Sequence, residues 1–577
     1  MHRGIWLLLA VIMLSGRVFL VNQKPSDALQ HSLSAYLPPE CLEDARLRHP
    51  VTFDASALPV SEVLRRLQDD TGVALSPSRE AGSLRVCVHV REMPLVELMA
   101  SLAGVLDLSW RPVGKETKGY ELYQAPQQRN RLLQQAQQRS QEALKAIQDA
   151  MLLAGYRIVS GEVLPSTPPQ SEGNIDDAVS ALAQMFQREP AMLRVMSSLS
   201  PQQLAQLIQG EPQLILGSQL PPEVQQALTA RLPSRSEGEQ YPVFVEIVPD
   251  TLTRSMMFSV RRDKGMWGTG IASLFETDAY LSKFEKAVDV LDEETGKRAV
   301  RAEKPLSLPE AIALLAQATK LNVVAEYYPL TMHDRVTSPG DAGAILKQLC
   351  TPRLYSARRL GETLWLTAFY RAEHRQVDIP DLILKRWFTS EEEFGITTDI
   401  ALEIARLSYA QRRALGAWTL QQETFDNISS AKRQVYSDLK SLTGRSITAI
   451  ILRLLASLPS PVRTRTLNGT PLPLRDLALG NDTNLLELVS YLPPDLQDLW
   501  FDTDAPCWLQ IRRSTTAPWA SEERGQVWRS ASPPRQISQT SSTSHYRLRV
   551  EKIQAYLQTP SGSLLLSEWE WHRFKRL

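Results

Sequence analysis

The sequence has 577 residues, of which 43% are apolar, and its 64 Lys and Arg residues are balanced by 64 Asp and Glu residues. This length suggests about three to five domains, and the apolar fraction is sufficient for packed cores, which excludes a wholly disordered chain. A formal net charge of zero excludes a global electrostatic attraction to nucleic acid and leaves only local basic patches open.

The N-terminus has the pattern of an export signal. The positive start Met1-His2-Arg3 precedes an apolar run, Gly4 to Leu14, with the length of a signal-peptide core. No clear cleavage site follows, and apolar residues continue beyond Arg17, so the segment is also about as long as a membrane span. We expect an exported protein, with residues 1–21 either cleaved or retained as an anchor. The alternative is a buried N-terminal helix.

The four cysteines, Cys41, Cys87, Cys350 and Cys507, are too widely spaced for a CxxC metal or redox motif. An exported location permits disulfides, and four cysteines allow three pairings among which the sequence cannot choose. Two bridges and four separate thiols both stay open at this point.

Residues 51–124 are predicted to form a first module. The apolar spacing of Ser61 to Thr71 predicts a helix that ends at Gly72. Leu84 to Val90 alternates between apolar and polar residues, which predicts a half-buried strand with a solvated polar face. That polar face carries Arg85, Cys87 and His89.

A second helix and a hairpin complete the first module. The helix is predicted over Pro94 to Ala103, and the hairpin joins Leu108–Trp110 to Tyr120–Leu122. The predicted order is strand, helix, strand, helix, strand, strand.

Helical and β-rich segments follow the first module. Gln127 to Leu153 predicts a long polar helix, and a capping box formed by Ser200 and Gln203 marks the start of another. Leu220 to Leu228 predicts a further helix, and Tyr241 to Val260 is β-rich.

The order of elements then repeats. Leu306 to Leu321 matches the first helix, Ala342 to Leu349 matches the second, and Leu354 to Leu366 predicts a hairpin with Gly361 at its turn. Residues 303–370 are therefore predicted to form a second module.

Two helix phrases also recur in the same order. Leu199 to Leu207 matches Leu407 to Leu415, and Leu220 to Leu228 matches Leu492 to Leu499. The alternative to an internal duplication is chance, because both phrases are ordinary helix starts. We favour duplication because both phrases recur after similar modules.

The C-terminal stretch differs in composition. Ser514 to Ser544 is rich in Ser, Thr, Pro and Arg, which predicts a flexible loop. Of the twelve tryptophans, Trp519 and Trp528 fall within this loop. Exposed aromatic rings stack on sugars or anchor protein partners, so these two residues are candidate aromatic contacts. Packing in a core or hairpin is the simpler interpretation, and we favour it.

Motifs for catalysis and cofactor binding are missing from the sequence. HExxH, GxSxG, Walker A and EF-hand patterns do not occur, and Gly265 to Gly270 does not fit a nucleotide fingerprint. His89 beside Cys87 could suggest a metal pair, but the alternation favours a solvated strand face. We therefore assign no catalytic, cofactor-binding or metal-binding residue and expect a protein that is not an enzyme.

The first module also has an ordered set of hydrophobic positions over about 75 residues. They lie in Val51–Phe53, Leu58–Leu64, Thr71–Val73, Leu84–Val90, Pro94–Leu98 and Tyr120–Leu122. This order resembles the short N-terminal (STN) domain of secretins and of signal-transducing TonB-dependent receptors. Residues 303–370 are similar to it more weakly, and the two stretches cover about a quarter of the chain.

The resemblance implies a small α/β module of the bacterial envelope that binds other protein domains and has no catalytic activity. The rest of the chain resembles neither a secretin pore domain nor a receptor. The roles of that family in pore assembly and signalling are therefore not implied for this chain.

We predict an α+β, multidomain chain in which two small STN-like modules alternate with helical blocks and β-rich segments. The predicted boundaries are 1–21 leader, 22–50 linker, 51–124 first module, 125–240 helical block, 241–302 β-rich segment, 303–370 second module, 371–500 helical block, and 501–577 β-rich C-terminal segment with the polar loop 514–544.

The leading functional hypothesis is an envelope protein that binds other envelope proteins through its STN-like modules, without nucleic acid or cofactor. The predicted docking face of the first module consists of Arg85, His89 and Arg91. The alternative is a carbohydrate or cell-wall binding protein that uses the tryptophan-rich C-terminal segment. An enzyme of an unrecognised type is a third hypothesis. Contact with the membrane is expected only through the N-terminal segment.

Overall fold

The computed structural model describes residues 36–576 with internal gaps. The residues outside the description are 1–35, 115–118, 161–178, 180–182, 185, 230–243, 251–254, 263–264, 272–289, 303, 333, 338, 351–353, 389–392, 426–428, 445, 475–486, 493–506, 518, 524–525, 531–543, 560–561 and 577. The leader predicted at 1–21 lies outside the described residues. Among the helices that are described, none has the length and apolar character required to cross a membrane.

The chain is α+β, with eighteen α-helices and twenty-one strands in its described part. The helices are α1 Pro39–Glu43, α2 Val60–Thr71, α3 Arg79–Gly82, α4 Leu95–Leu106, α5 Pro126–Ser160, α6 Pro190–Ser198, α7 Pro201–Ile208, α8 Pro222–Thr229, α9 Glu293–Gly296, α10 Leu308–Thr319, α11 Ala342–Leu349, α12 Arg371–Val377, α13 Asp381–Phe388, α14 Thr398–Ala405, α15 Tyr409–Phe425, α16 Ser430–Thr443, α17 Ile447–Ser457 and α18 Ser460–Leu467.

The strands range from two to sixteen residues in length. They are β1 Pro50–Pro59, β2 Leu75–Pro77, β3 Arg85–Pro94, β4 Ser109–Val113, β5 Gly119–Tyr123, β6 Gln213–Leu216, β7 Phe244–Asp250, β8 Ser255–Arg262, β9 Gly265–Ile271, β10 Leu306–Ser307, β11 Asn322–Tyr327, β12 Arg335–Val336, β13 Tyr355–Leu360, β14 Thr363–Ala368, β15 Glu393–Gly395, β16 Leu472–Pro473, β17 Trp508–Thr516, β18 Trp519–Glu523, β19 Gln526–Ser530, β20 Ser544–Thr559 and β21 Gly562–Arg576.

The chain divides into two compact units, each assembled from separated segments. Unit 1 comprises residues 1–132, 284–327 and 334–369, and unit 2 comprises residues 133–283, 328–333 and 370–577. The described residues of both predicted modules therefore belong to unit 1, apart from residues 328–332 and 370 of the second module.

Unit 1 contains a five-stranded sheet in the order β1-β3-β11-β14-β13. Strands β1 and β3 come from the first module, and β11, β14 and β13 come from the second. A three-stranded sheet, β2-β5-β4, and a two-stranded sheet, β10-β12, complete unit 1. The two stretches predicted as separate modules thus share one sheet.

The helices of the first module form where the apolar spacing predicts them. In α2, Val63, Leu64 and Leu67 are buried, and the helix ends because Gly72 adopts a left-handed conformation with φ 71°. Helix α4 packs on the five-stranded sheet, where Trp365 Nε1 donates a hydrogen bond to Ser101 Oγ at 3.2 Å.

The two modules have the same strand pairings. In the first, β1 pairs antiparallel with β3, β2 parallel with β5, and β4 antiparallel with β5. In the second, β10 pairs antiparallel with β12, β11 parallel with β14, and β13 antiparallel with β14. Since each set of pairings follows the same order of elements along the chain, the modules have one topology.

The ends of the first helices agree in detail. Thr71 Oγ1 donates to the Leu67 carbonyl at 2.6 Å and accepts from the Val73 N–H at 3.3 Å. Thr319 Oγ1 donates to the Leu315 carbonyl at 2.7 Å and accepts from the Leu321 N–H at 3.3 Å. These bonds align Thr71 with Thr319.

The segment predicted as a linker at 22–50 is folded where it is described. It contains α1 and a 3-10 helix, Ala45–Arg48, and it buries Leu37, Cys41 and Leu47. Asp44 accepts a hydrogen bond from the Tyr120 hydroxyl at 2.8 Å. The described part of this segment therefore belongs to unit 1, because its apolar residues are buried in the core of that unit. The prediction of a linker is wrong for these residues.

Unit 2 contains two antiparallel sheets. The first has the order β6-β7-β8-β9, and the second has the order β15-β21-β20-β17-β16 with the hairpin β18–β19 attached to β20. Each sheet contributes to its own hydrophobic core. The residues of the first core lie within the sequence range Ile147 to Val260, and those of the second lie within Leu330 to Phe574.

A second internal correspondence lies in unit 2, between helices α6–α7 and helices α17–α18. Ser198 Oγ donates to the Val195 carbonyl at 2.7 Å, and Ser457 Oγ donates to the Leu454 carbonyl at 2.7 Å. After the second helix of each pair comes a glycine with a positive φ of 95° at Gly210 and 93° at Gly469.

The short strands that follow agree as well, since β6 pairs antiparallel with β7 and β16 pairs antiparallel with β17. The structure therefore aligns Leu199 with Leu458. The predicted match of Leu199–Leu207 to Leu407–Leu415 is wrong in position. It was suggested by a shared cap, because Ser408 and Gln411 also exchange the hydrogen bonds of a capping box.

The predicted flexible loop 514–544 contains regular structure. Its described residues include the end of β17 and the strands β18 and β19, and β18 pairs with both β19 and β20. A polar composition suggested a loop, but strand pairing satisfies the backbone hydrogen bonds whatever the side chains are.

Candidate protein-docking surface

The strand predicted to carry the docking face lies in the interior of a sheet. On one side β3 pairs with β1, and on the other it pairs antiparallel with β11, where His89 lies opposite Val323 and Cys87 lies opposite Ala325. Both edges of β3 are therefore occupied within the chain.

The two faces of β3 are also covered. Val88, Val324 and Trp365 lie side by side across β3, β11 and β14, and α4 packs on this face through Trp365. His89 and Cys87 point to the opposite face and are buried, with His89 only 7% exposed. The prediction of a solvated face is wrong for these two residues, because α10 of the second module packs on β1, β3 and β11.

The buried His89 ring has a polar contact with the neighbouring strand β1. Its Nδ1 atom lies 3.1 Å from Oδ1 of the exposed Asp54, while Nε2 has no hydrogen-bond partner among the described residues. Burial lowers the pKa of His89, and the nearby Asp54 carboxylate offsets part of this effect. The neutral form is therefore favoured, which suits a packed side chain.

Arg85 and Cys87 both bind a bulge in β1. Arg85 Nη1 donates to the Ala57 carbonyl at 2.8 Å, and Cys87 Sγ accepts from the Ala57 N–H at 3.3 Å. Ala57 has a positive φ of 56° and sits where the register between β1 and β3 shifts. Both side chains thus stabilise an irregular backbone segment.

Arg91 is the member of the predicted docking face that remains exposed. Its backbone N–H donates to Asn322 Oδ1 of the second module at 2.8 Å. Glu92, the next residue, is also exposed and has a positive φ of 49°. The structure thus separates the three predicted residues: His89 is buried, Arg85 is half-buried, and Arg91 faces solvent.

The predicted aromatic contacts lie on the hairpin β18–β19. Trp519 pairs with Ser530 and Arg547, and Trp528 pairs with Ser521. Their side chains lie outside the described part of the structure. Two other C-terminal tryptophans, Trp569 and Trp571, are buried in the core of unit 2, and their indole N–H groups have no hydrogen-bond partner among the described residues.

The four cysteines are separate, buried thiols. Burial raises the pKa of Cys41, Cys87 and Cys350 to about 12 in each case. Of the two alternatives left open by the sequence, the structure has the unbridged one. Among the described residues, no group of three His, Cys, Asp or Glu side chains is placed to hold a metal ion.

A buried polar cluster in unit 2 was not predicted from the sequence. His572 on β21 holds Nδ1 at 3.1 Å from Asp438 Oδ2 on α16, and its backbone N–H donates to the same oxygen. Burial raises the pKa of Asp438, and the bonds to His572 oppose the rise. No motif spacing could have indicated this pair, since 134 residues separate its members.

No family model, curated protein or solved structure matches the chain.

Proposed function

We propose that this chain is a non-catalytic protein of the bacterial cell envelope that binds other proteins through its STN-like modules. One observation carries the proposal: β3 of the first module and β11 of the second pair edge to edge over five residue pairs. A module that binds a second module through its sheet has the geometry of a protein-interaction domain. The envelope location rests on the apolar leader and on the STN resemblance.

The remaining polar surface next to this contact supports a docking role. Arg91 and Glu92 are exposed beside the junction of the two modules, so a partner bound there would contact both modules. Exposed Arg side chains are frequent anchors of protein interfaces, because the guanidinium offers several donors in a planar fork.

The test compares capture of envelope proteins by the full chain and by Arg91→Glu. The matched control is Arg79→Glu, which reverses the same charge at an exposed position on α3 of the same unit. We expect Arg91→Glu to lose capture of a specific protein that wild type and Arg79→Glu retain. Equal capture by all three chains would overturn the assignment of this surface.

Two further measurements address location and partner class. Residues 1–40 fused to a reporter that is active only outside the cytoplasm should give a signal, and a silent reporter contradicts export. A glycan array probed with the full chain distinguishes the carbohydrate-binding alternative, for which specific glycan binding is expected in place of protein capture.

A further inference from the structure

We infer that the first module contains a second acceptor edge, on β2, and that Gln68 and Pro77 close it against the β3 strand of a second copy of this chain that has not yet paired with its own β11. The inference rests on the common topology of the two modules and not on the envelope function proposed above.

The equivalence of β2 and β11 follows from their pairings. Each is the strand after the first helix of its module, and each pairs in parallel with the last strand of that module, β5 or β14. The matching hydrogen bonds of Thr71 and Thr319 fix the alignment of the two modules. In this alignment Leu75 is equivalent to Val323, and Pro77 is equivalent to Ala325.

The edge of β11 is open to a partner strand. Asn322 donates its N–H to the Glu362 carbonyl at 2.9 Å, on the side of β14. Because successive N–H groups of a strand point to opposite sides, those of Val323 and Ala325 point toward β3. These two residues lie in register with His89 and Cys87.

The edge of β2 offers neither of these donors. Hydrogen bonds from Tyr120 N–H to the Ala74 carbonyl at 2.9 Å and from Ser78 N–H to the Leu122 carbonyl at 2.8 Å lie on the β5 side. The backbone N–H and C=O groups of residues 75 and 77 therefore point to the other edge of β2, away from β5. The Leu75 N–H is already bonded to Gln68 Oε1 at 3.2 Å, and Pro77 has no N–H.

The second module differs at both closing positions. The alignment places Ala316 where the first module has Gln68, and alanine has no side-chain acceptor. Ala325 replaces Pro77 and keeps its N–H. The differences explain why β3 pairs with β11 of its own chain, while the edge of β2 cannot receive the β3 of another copy. An open β2 edge would compete with β11 for the β3 strand of a copy that is still folding, and the resulting head-to-tail association does not close on itself.

The test uses a fluorescent peptide with the sequence of residues 85–94, carrying Cys87→Ser, and measures its anisotropy against the full chain. We expect the double variant Gln68→Ala/Pro77→Ala to bind the peptide about tenfold more tightly than wild type, since two main-chain hydrogen bonds become available. Asp70→Ala, an exposed change on the same helix, is the control and should behave as wild type.

Equal binding of the peptide to wild type and double variant would overturn the inference, and so would a lack of binding to either. A peptide that also carries His89→Pro should not bind, because it lacks an N–H that would face the β2 edge. If thermal melting shows that the double variant is unfolded, Gln68→Ala alone decides. It alters an exposed side chain, should bind the peptide more tightly than wild type by a smaller factor, and overturns the inference if it does not.

Discussion

His89 holds its Nδ1 atom 3.1 Å from Oδ1 of Asp54 on the neighbouring strand, although its ring is buried and the Asp54 side chain is 86% exposed. Burial lowers the pKa of His89 below its usual value near 6.5. The unfolded chain therefore takes up this proton at a higher pH than the folded chain does. The contribution of neutral His89 to stability is present above about pH 6.5 and is lost as the pH falls through the folded pKa.

We predict that unit 1 loses stability between about pH 7 and pH 5, with a slope of at most about 1.4 kcal/mol per pH unit from this single group. His89→Gln should flatten that part of the profile, because glutamine does not titrate. Urea unfolding of wild type and variant at several pH values measures the effect. Parallel profiles would show that His89 does not titrate differently in the folded chain.

The matching threonines give a second prediction. Replacing Thr319 or Thr71 with valine removes the hydroxyl that bonds both the preceding turn and the following N–H. We expect the free energy of unfolding to fall by about 1 kcal/mol for Thr71→Val and by about 1–3 kcal/mol for Thr319→Val. The larger loss is expected at Thr319 because its side chain is only 3% exposed.

Chemical unfolding measures both threonine losses, and the serine variants, which keep the hydroxyl, are the controls. A valine variant as stable as its serine counterpart would show that the hydroxyl bonds contribute nothing. That result would weaken the argument that the two helix ends are equivalent.

Two glycines in unit 2 should respond oppositely to replacement by alanine. Gly395 has φ 120°, and a Cβ atom there would lie 2.1 Å from the His572 carbonyl oxygen, so Gly395→Ala should cost several kcal/mol, on the order of 3 or more. Gly155 lies in α5, where an added Cβ would have no described atom within 4 Å apart from its chain neighbours and the backbone of the helix itself. Gly155→Ala should therefore stabilise the helix by about 0.5–1 kcal/mol.

Thermal melting of the two variants separates the effects. If Gly395→Ala melts with the wild type, β15 does not approach β21 as closely as the structure shows. A melting temperature of Gly155→Ala below that of wild type would place an obstructing group near α5.

The thiols provide a fourth prediction. With pKa values of about 12 for Cys41, Cys87 and Cys350, almost none of these thiols is ionised at pH 8, and all are buried. We expect an aromatic disulfide reagent to label the folded chain slowly and to label four thiols rapidly in denaturant. Fewer than four thiols in the denatured, unreduced chain would indicate a disulfide and contradict the structure.

Local sequence patterns predicted much of the secondary structure but not the partners of each strand. The helix at Val60–Thr71 follows from its apolar spacing and from Gly72, and the capping box at Ser200 forms as predicted. These features depend on residues three or four positions apart.

The burial of His89 could not be predicted in the same way. Alternation identifies the two faces of a strand but not whether a helix covers the second face, and α10 lies more than two hundred residues further along the chain. A strand covered on both faces usually has a continuous apolar sequence, and Arg85 and His89 interrupt that signal in β3. The correspondence of α6–α7 with α17–α18 could not be predicted either. The two helix pairs share their backbone geometry, but few of their residues are identical, so the sequence alone does not show the match.

The pairing of β3 with β11 has a consequence for synthesis. Arg91 and Asn322, which are bonded across this junction, lie 231 residues apart. A ribosome adds about 5–20 residues per second, so the donor strand is complete for roughly 10–50 s before its acceptor has been made. During that interval a new chain exposes an unpaired strand edge that can aggregate. We therefore expect the new chain to depend on a chaperone that covers the β3 edge until the second module has been synthesised.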